Sequence, residues 1–471
     1  MKAITKTRFC PSPTGLLHLG NARTALFNAL LAQHNDSTFL LRIEDTDDNR
    51  SQEKYVHALM HDLRWLGIRW QEGPEIGGKF GSYWQSERTS IYARYYKKLL
   101  DTNLAYPCFC SEEQLKLARK IQRSRGQAPR YPGTCSSLHK EQIAAKLAQG
   151  IKPSLRFRVP KNVSITFDDL VKGKQIFNSN DIGDFIIRRS NNSPSFMFAN
   201  AIDDSLMQVT HILRGEDHLT NTPRQLMILQ ALKMPIPQYG HISLIIGNDN
   251  SPLSKRHGSK SLEALHHDGW LALGVINYLA RVGHYYTDNN LMHFTELAKK
   301  FALKHLSHSP ATFDATQMLY WQKLAIAHLN HHDFWQWLTT HSDDLHVIST
   351  EQRDAFISAV KPNTVFPQDA LHWATIFFVD DLALNNIAQA AIKAAGKTFF
   401  NAALAANTDD IKAIAEHVKR TCQITGKALF MPLRFALTGE QHGPELVAIG
   451  ELLGTKRIQQ RLRQALHLCH A

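Results

Sequence analysis

The chain has 471 residues, of which 43% are hydrophobic and 20% are charged. These proportions are ordinary for a globular protein, and they exclude a collagen, a disordered tail protein and a disulfide-rich miniprotein. Since a domain takes roughly 100–200 residues, the length predicts about three domains. The sequence has no apolar run of about 18 residues, and its N-terminus lacks the apolar segment of a signal peptide. We therefore expect a cytoplasmic protein with no membrane partner.

Basic residues are concentrated in the first two thirds of the chain. Residues 1–309 contain 40 lysines and arginines against 27 aspartates and glutamates, whereas residues 310–471 contain 14 against 15. The density is highest in residues 116–161, with 12 basic residues and one acidic residue, Glu141. Such a segment is either a solvated helix face or a surface that binds a polyanion, for which nucleic acid is the leading candidate.

The N-terminal segment alternates between strand and helix patterns. A short extended run at Lys6–Cys10 is followed by a breaker cluster, and a helical pattern starts near Gly20. A second apolar strand is predicted at Phe39–Ile43. This alternation is typical of a doubly wound α/β domain, whose ligands bind at the carboxyl ends of the strands. The loops at residues 11–21 and 44–47 lie at those ends.

Residues 106–190 interrupt this alternation and predict an inserted α+β domain. They hold clustered cysteines, the basic segment and alternating β patterns such as Leu155–Val159. The α/β pattern then resumes and includes a predicted strand at His241–Ile246. Strand signals fade beyond about residue 262, and residues 310–471 are rich in alanine and leucine with helical periodicity, including a predicted glycine helix stop within Gly450–Gly454.

The first motif that indicates chemistry is the string Pro11–Asn21. A strand leads into this loop, and a helix opens near Gly20, so free N–H groups and a partial positive charge become available to a phosphate. Gly20 lets a nucleotide approach the backbone, and His18 can donate a hydrogen bond to a phosphate oxygen. The plain alternative is a βα turn whose histidine faces solvent.

The second motif is the polar string Ser251–Ser259, which contains adjacent cations. Lys255 carries a compact charge that suits a triphosphate. For the dipeptide Lys255–Arg256 alone, a solvated basic loop is the better interpretation.

Both motifs together, with Arg42–Asp47 between them, resemble the bacterial glutamyl-tRNA synthetases of class I. The resemblance covers essentially the whole chain, because both motifs occur in order and the insertion and the helical tail have fitting lengths. It implies an α/β Rossmann-like catalytic domain (1–105 and 190–260), an inserted α+β domain that binds the acceptor end of tRNA (106–189), a connecting region that contacts the tRNA stem (261–325) and an all-α region that binds the anticodon (326–471).

The resemblance also implies the activity. L-Glutamate reacts with ATP, accompanied by Mg²⁺, to give glutamyl-adenylate and diphosphate, and the 3′-terminal adenosine of tRNA(Glu) then attacks the carbonyl. The expected partners are tRNA, L-glutamate and ATP, and we expect a monomer. Charging of tRNA(Gln), in addition or mainly, stays open as the alternative.

Residue by residue, the resemblance implies three sets of site residues. The catalytic set is His18, Gly20 and Lys255. The ATP-binding set is Pro11, Thr14, Gly15, His18, Gly20, Asn21, Asp217, Leu253, Ser254, Lys255 and Arg256. The glutamate-binding set is Arg8, Ser12, Glu44, Phe196, Asn200 and Arg214.

The sequence departs from the family pattern at three positions. Phe196 stands where many relatives have tyrosine, so one hydroxyl contact in the glutamate pocket is in doubt. Asn21 stands where many class I enzymes have a second histidine, which the glutamyl group often lacks. Pro252 replaces the first lysine of the second motif, so Lys255 would provide more of the phosphate contact.

A structural zinc site is predicted from three cysteines: Cys108, Cys110 and Cys135. Some relatives complete such a site with a histidine two residues after the third cysteine, where this chain has Ser137. His139 is the nearest replacement. Tyr131 is the other candidate, because a Tyr-x3-Cys arrangement binds zinc in the related glutamyl-queuosine synthetases. The alternative is that zinc has been lost and the cysteines are simply buried.

Overall fold

The structure is a computed structural model that describes residues 5–46, 51–253, 260–378 and 382–470. The chain divides into two compact units. Unit 1 comprises Met1–Leu265 with Val275–Ala315, and unit 2 comprises His266–Gly274 with Thr316–Ala471. None of the helices in the described ranges has the length and hydrophobicity that crossing a membrane requires.

All the strands of the described chain belong to unit 1. They are β1 (Thr7–Phe9), β2 (Phe39–Leu41), β3 (Ala105–Cys108), β4 (Ser154–Phe157), β5 (Ser164–Asp169), β6 (Gly173–Asn178), β7 (Phe185–Arg188), β8 (His211–Gly215), β9 (Gln238–Ile242), β10 (Ile245–Ile246) and β11 (Ala311–Thr312).

Helices α1 to α11 belong wholly or in part to unit 1. They are α1 (Leu19–His34), α2 (Glu53–Trp65), α3 (Thr89–Asp101), α4 (Glu112–Ser124), α5 (Lys140–Ala148), α6 (Ser179–Ile182), α7 (Phe196–Leu206), α8 (Thr222–Ala231), α9 (Leu262–His267), α10 (Ala272–Arg281) and α11 (Phe294–Lys300).

Two parallel strand pairs form the α/β part of unit 1. Strand β1 pairs with β2, to which α1 connects it, and β8 pairs with β9 with Arg214 opposite His241. The side chain of Asn28 ties α1 to β8, because its Nδ2 donates to the Leu213 carbonyl at 2.8 Å and its Oδ1 accepts from the Leu213 N–H at 3.2 Å. Parallel strands joined by a helix confirm the predicted Rossmann-like α/β fold class.

The inserted part mixes strands and helices, as the α+β prediction requires. Strands β3, β4 and β7 form an antiparallel sheet, and β5 and β6 form an antiparallel hairpin. Helices α4 and α5 have no buried residues. A capping box at Ser111 and Gln114 starts α4, since each side chain bonds the other residue's backbone.

Among its described residues, unit 2 contains helices and no strands, which confirms the all-α prediction. Its principal helices are α12 (Ala315–His328), α13 (His331–His341), α14 (Thr350–Val360), α15 (Pro367–Phe378), α16 (Asn386–Ala405), α17 (Ile411–Cys422), α18 (Lys427–Thr438) and α19 (Leu446–Leu468). A single apolar core holds them together, with buried aromatic residues such as Phe334, Phe356 and Phe400. Burial of this apolar surface stabilises the unit.

The prediction of one strand at His241–Ile246 is wrong. The structure has two strands there, β9 paired with β8 and β10 paired with β11. Between the two strands the backbone bonds side chains instead of a neighbouring strand: the Ser243 carbonyl accepts from the Arg23 guanidinium, and the Leu244 N–H donates to Glu216 at 3.0 Å. These side-chain partners are distant in sequence, so the strand pattern alone does not reveal the break.

The predicted glycine stop lies at Gly454, but it does not end the helical run. Gly454 has φ 65° and ψ 165°, which is not helical, and helix resumes immediately after it within α19. Glycine adopts this left-handed conformation without the steric cost that a Cβ imposes.

Candidate active site

A cavity of about 440 Å³ lies at the carboxyl ends of β1 and β8, beside the start of α1. Most residues of the predicted glutamate and ATP sets line it: Arg8, Pro11, Ser12, His18, Gly20, Asn21, Glu44, Phe196, Arg214, Asp217 and Leu253. Thr14, Gly15 and Asn200 are not in its wall. Ser254, Lys255 and Arg256 lie outside the described residues, as do 257–259 of the second motif.

The start of α1 provides free backbone donors at the cavity. The helix begins at Leu19 with His18 as its N-cap, and no side chain caps it. The first N–H groups of a helix have no intrahelical partner, so they can bind an anion. A Cβ on Gly20 would lie 3.2 Å from two atoms of the His18 ring. The absence of a side chain at Gly20 therefore leaves room for the His18 imidazole at the start of the helix.

His18 itself is a neutral donor at neutral pH. Partial burial lowers the pKa of His18 from its ordinary value of 6.5. A neutral imidazole donates from one nitrogen only, so it suits a hydrogen bond to a phosphate oxygen better than a fixed ion pair.

Arg214, at the end of β8, is a buried cation that makes no ion pair with any described residue. Its Nε donates to Nε2 of His241 at 3.1 Å, and its Nη2 donates to Oγ1 of Thr222 at 2.7 Å. Its Nη1 is buried and lacks a hydrogen-bond partner in the described part of the chain. Burial lowers the pKa of Arg214 to about 10, so the guanidinium stays charged at neutral pH. A buried cation without an acidic partner in a cavity wall favours the binding of an anion.

Glu44 brings a carboxyl group to the same cavity. Its Oε1 accepts from Nη2 of Arg42 at 3.4 Å and from Nδ2 of Asn200. Burial raises the pKa of Glu44, although Arg42 and Arg8 counteract part of the rise. Asn200 is fully buried behind the wall, and its Oδ1 accepts from Nη2 of Arg8 at 3.4 Å. Asn200 thus holds Glu44 and Arg8 in place.

Arg8 differs from Arg214 because it has an acidic partner. Nη2 of Arg8 lies 3.3 Å from Oδ2 of Asp204, and Nη1 of Arg42 lies 2.8 Å from Oδ1 of the same residue. Burial opposes the charge of Arg8, but Asp204 and smaller neighbouring contributions raise the pKa of Arg8 above its usual value. The charge on Arg8 is therefore partly compensated before any substrate binds.

The sequence analysis did not single out Asp203 and Asp204, the two acids that form ion pairs with the buried arginines. Asp204 binds Arg8 and Arg42, and its neighbour Asp203 accepts from Nε of Arg88 at 2.8 Å and from the Tyr92 hydroxyl at 2.6 Å. Both aspartates are fully buried on α7. The signal was present, since adjacent aspartates interrupt an apolar helical run, and acids on a buried face require cations.

Phe196 forms a flat surface in the cavity together with His218. Their ring centroids are 5.2 Å apart, and the rings are 28° from parallel. Burial is the main reason that the pKa of His218 falls to about 4, so this ring is neutral at neutral pH. His218 also lines the cavity, and sequence reasoning did not single it out.

The residues that flank the undescribed part of the second motif lie next to the first motif. Leu253 lines the cavity, and its N–H donates to the Ile245 carbonyl at 2.9 Å. On the other side, the Leu262 N–H donates to the Leu17 carbonyl at 2.9 Å.

The three predicted zinc ligands come together in the inserted part. The sulfur atoms of Cys108, Cys110 and Cys135 all lie within 4.8 Å of one another. The Tyr131 hydroxyl is 3.4 Å from Sγ of Cys108 and 3.6 Å from Sγ of Cys110. Three thiols and one oxygen are a donor set that a tetrahedral Zn²⁺ accepts.

The two candidates for the fourth ligand occupy different environments. Tyr131 contacts the sulfurs, whereas His139 is an exposed residue at the start of α5 and is not part of the cluster. Arg156 lies over the Tyr131 ring at 3.7 Å. Burial raises the pKa of the Cys108 thiol, but hydrogen bonds from Tyr131 and Arg156 more than offset this effect and lower it to about 7. The lowered pKa of Cys108 favours the thiolate that a metal needs, whereas burial raises the pKa of the Cys110 thiol to about 11.

The basic segment is largely exposed. Arg119, Lys120 and Arg123 lie on α4 with exposed side chains, and Arg125 follows the helix. Arg156 is buried against Tyr131, and Lys146 and Arg158 are half-buried. Exposed cations without buried neighbours suit either solvent or a polyanion.

Comparison with known proteins gives concordant results along the whole chain. Residues 5–320 match the family model of the class I tRNA synthetase catalytic domain (E and Q), and residues 323–466 match an anticodon-binding domain. Glutamate--tRNA ligase 2 of Coxiella burnetii is 52% identical over 98% of this chain and 99% of its own length. Glutamate--tRNA ligase 2 of Nitrosococcus oceani is also 52% identical, over 98% of each chain.

A solved structure agrees with these matches. The crystal structure of a glutamate tRNA ligase from Elizabethkingia meningosepticum in complex with its amino acid superposes with a TM-score of 0.90, at 28% identity and 99% coverage of both chains. The names of these relatives do not favour the alternative of charging mainly tRNA(Gln). The chain belongs to the class I aminoacyl-tRNA synthetases, and within them it is a member of the glutamate--tRNA ligases.

Proposed function

We propose that the cavity of unit 1 binds L-glutamate and ATP, forms glutamyl-adenylate, and passes the glutamyl group to the 3′ end of tRNA(Glu). One observation carries the assignment of an amino-acid substrate with an extra carboxylate. Arg214 offers a buried, charged Nη1 without a partner among the described residues, in the same cavity as Glu44. Glu44 complements the ammonium group of an amino acid, and a second cation in the same cavity, Arg8, gives a dicarboxylic amino acid one arginine for each carboxylate.

The glutamate contacts follow from these charges. Arg214 binds a substrate carboxylate, because its unused donors and its uncompensated charge both require an anion. Glu44 receives the ammonium group, and Asn200 keeps it in position. Arg8 and Ser12 line the same cavity and complete the polar contacts. Phe196 provides an apolar surface in place of a hydroxyl contact.

The ATP contacts lie at the start of α1. Its free N–H groups and His18 bind phosphate oxygens, and Gly20 and Asn21 line the approach. Pro11, Thr14, Gly15, Asp217 and Leu253 stay predictions for the nucleotide. The roles of Ser254, Lys255 and Arg256 also stay predictions, since they lie outside the described residues. Mg²⁺, when bound with ATP, would neutralise part of the phosphate charge.

The chemistry needs no covalent nucleophile from the protein. A glutamate carboxylate oxygen attacks the α-phosphorus of ATP, an O–P bond forms, and diphosphate leaves. The terminal adenosine hydroxyl of tRNA then attacks the activated carbonyl, and AMP leaves. Residues of the cavity contribute positioning and donors that are already in place for the charge on the phosphate oxygens.

The inserted part fits a structural zinc ion. Cys108, Cys110, Cys135 and Tyr131 are the residues that would hold it, because their donor atoms already lie together. His139 is the weaker candidate. A bound ion would stabilise this small part of the chain and would take no part in the reaction.

The tRNA contacts are divided along the chain of a monomeric enzyme. Residues 106–189 bind the acceptor end, 261–325 contact the stem, and 326–471 read the anticodon. The exposed cations of α4 and the match of residues 323–466 to an anticodon-binding domain support this division.

Aminoacylation of purified tRNA tests the proposal directly. The full chain should attach glutamate to tRNA(Glu) in the presence of ATP and Mg²⁺, releasing AMP and diphosphate. Glutamine and aspartate should not replace glutamate, and tRNA(Gln) should be charged far more slowly. Efficient charging with another amino acid would overturn the substrate assignment.

A further inference from the structure

A buried hydrogen-bond chain links the inserted hairpin to the substrate cation. Asp169, the last residue of β5, is buried, and its Oδ1 accepts from the backbone N–H groups of Val171, Lys172 and His241 at 3.0, 2.8 and 3.1 Å. Its Oδ2 bonds Nδ1 of His241. The hairpin is anchored to β9 next to this contact, since the Leu170 N–H donates to the Tyr239 carbonyl at 2.8 Å.

The Asp169 carboxylate determines which nitrogen of His241 carries the proton. A carboxylate oxygen can only accept, so Nδ1 of His241 must donate. Burial acts against the charge of Asp169, but the hydrogen bonds from His241 and the backbone hold the pKa of Asp169 below its usual value. Burial also lowers the pKa of His241. His241 is therefore a neutral imidazole whose Nε2 is left as an acceptor.

That acceptor holds Arg214. Nε of Arg214 donates to Nε2 of His241 at 3.1 Å, and Nη2 donates to the Thr222 hydroxyl at 2.7 Å. The same hydroxyl lies 3.0 Å from Nε2 of His241, which closes a ring of three side chains. The guanidinium is thus fixed at two of its nitrogens, and Nη1 is the nitrogen that has no described partner.

The acceptors around Arg214 are neutral, so they do not compensate the charge of its guanidinium. Arg8 contacts a carboxylate directly and is partly compensated by it. Arg214 is held by an imidazole and a hydroxyl, so its full charge stays available. A carboxylate placed one residue further away orients the imidazole without neutralising the cation.

We propose that Asp169 and His241 are positioning residues that hold the Arg214 guanidinium in place for the substrate carboxylate. The proposal rests on the proposed function, in which Arg214 binds glutamate. It makes a buried acid of the inserted hairpin a determinant of glutamate affinity, although neither Asp169 nor His241 lines the cavity.

The decisive variant is D169N in the full-length enzyme. An asparagine amide has nearly the same shape and can still accept from the backbone, but its NH₂ group must donate to Nδ1 of His241. The proton of His241 then moves to Nε2, where it faces the N–H of Arg214. We expect the KM for glutamate in aminoacylation to rise about 10- to 100-fold. The KM for ATP and for tRNA should change less than about twofold.

D168N is the matched control, because it makes the same chemical change one residue earlier on the exposed side of β5. It should leave all three KM values unchanged. H241Q keeps an acceptor for Arg214 and should be less impaired in glutamate KM than H241L, which has none. Thermal melting of each variant reports whether the fold is intact.

The outcomes separate this proposal from the proposed function. If D169N and H241L melt normally and keep the wild-type KM for glutamate while R214L loses activity, the positioning role is wrong and the substrate role of Arg214 stands. If R214L also keeps normal glutamate kinetics, the proposed function of the cavity fails. If D169N does not fold, the comparison of H241Q with H241L decides, and equal KM values in these two variants would overturn the proposal.

Discussion

At the scale of single residues, two arginines in one cavity have opposite electrostatic situations. Arg8 shares Asp204 with Arg42, whereas Arg214 has only neutral partners among the described residues. A buried cation without an acid costs stability, because its desolvation is not offset by a nearby negative charge. Such a cost is typical of a binding site, where the ligand provides the missing charge.

R214L should therefore separate activity from stability. Removing the uncompensated charge relieves its desolvation, so we expect a melting temperature equal to or above that of the wild type. Removing the buried cation that binds substrate should lower kcat/KM for glutamate. The fall should correspond to a loss of about 2–5 kcal/mol in transition-state binding. Steady-state aminoacylation and calorimetry on the same preparation measure both quantities. A large fall in melting temperature would show that Arg214 is mainly structural.

R8L should instead weaken both properties. The variant leaves Asp204 buried with one cation fewer, and breaking a buried ion pair destabilises a protein by about 3–5 kcal/mol. The second partner, Arg42, keeps the loss near the lower end. We expect a lower melting temperature together with a reduced kcat/KM for glutamate. Denaturant unfolding compared with R214L is the measurement, and equal stability of the two variants would contradict this reasoning.

A substitution at Gly20 tests whether activity depends on the position of the His18 ring at the start of the helix. The extra methyl of G20A would press on the His18 ring, which lies 3.2 Å from the position of that Cβ. Displacing the ring by a fraction of an ångström should slow adenylate formation about 10- to 100-fold. In an H18A background the same substitution should cost little more, because the ring is already absent. Additive losses in a single-turnover assay would show that Gly20 acts independently of His18.

At the scale of the elements, local sequence patterns predict where helices and strands begin, but they do not predict which distant residues contact them. The start of α1 follows from the breaker cluster before it and the helical pattern after Gly20, and the structure places the N-cap at His18. The break between β9 and β10 depends on Arg23 and Glu216, which contact Ser243 and Leu244 from elsewhere in the chain. The partners of Asp203 and Asp204 likewise come from separate parts of the chain. Contacts of this kind are set by tertiary structure, so a single sequence does not show them.

The inserted part shows why a metal is expected at the cysteine cluster. Its helices α4 and α5 bury no residues, and the cluster's own core consists of Tyr106, Cys108 and Cys135 with a few half-buried neighbours. So small a core contributes little hydrophobic stabilisation, and metal ligation commonly replaces it.

Metal analysis of the purified full-length protein should find one zinc per chain. C108S should lose it, since a hydroxyl is a poorer zinc ligand than a thiolate. Y131F should bind zinc more weakly, while H139A should bind it normally, because His139 lies away from the sulfurs. Zinc loss in H139A but not in Y131F would reverse the choice of the fourth ligand. A metal-free protein prepared without chelators would favour simple buried thiols.

At the scale of the whole molecule, the excess of basic residues and the region proposed to read the anticodon lie in different parts of the chain. The basic excess lies in residues 1–309, and residues 310–471 are close to neutral. Phosphate contacts provide affinity that depends on salt, whereas base contacts provide discrimination. A neutral helical region can still discriminate bases through polar and stacking contacts. This distribution of charge is the one expected from the proposed division of the tRNA contacts along the chain.

Neutralising the exposed cations of α4 tests this division. Replacing Arg119, Lys120, Arg123 and Arg125 by glutamine should weaken binding of tRNA(Glu) and of non-cognate tRNAs by the same factor. The slope of log affinity against log salt should become shallower, by about 0.7–0.9 for each phosphate that the variant no longer neutralises. The matched controls are substitutions of Asn363, an uncharged residue of the short helix Lys361–Asn363 in unit 2. These should change the ratio between cognate and non-cognate tRNA and leave the slope intact. If the α4 variant keeps the full salt slope, its cations face solvent in the complex, and the acceptor end of tRNA must be bound by other residues.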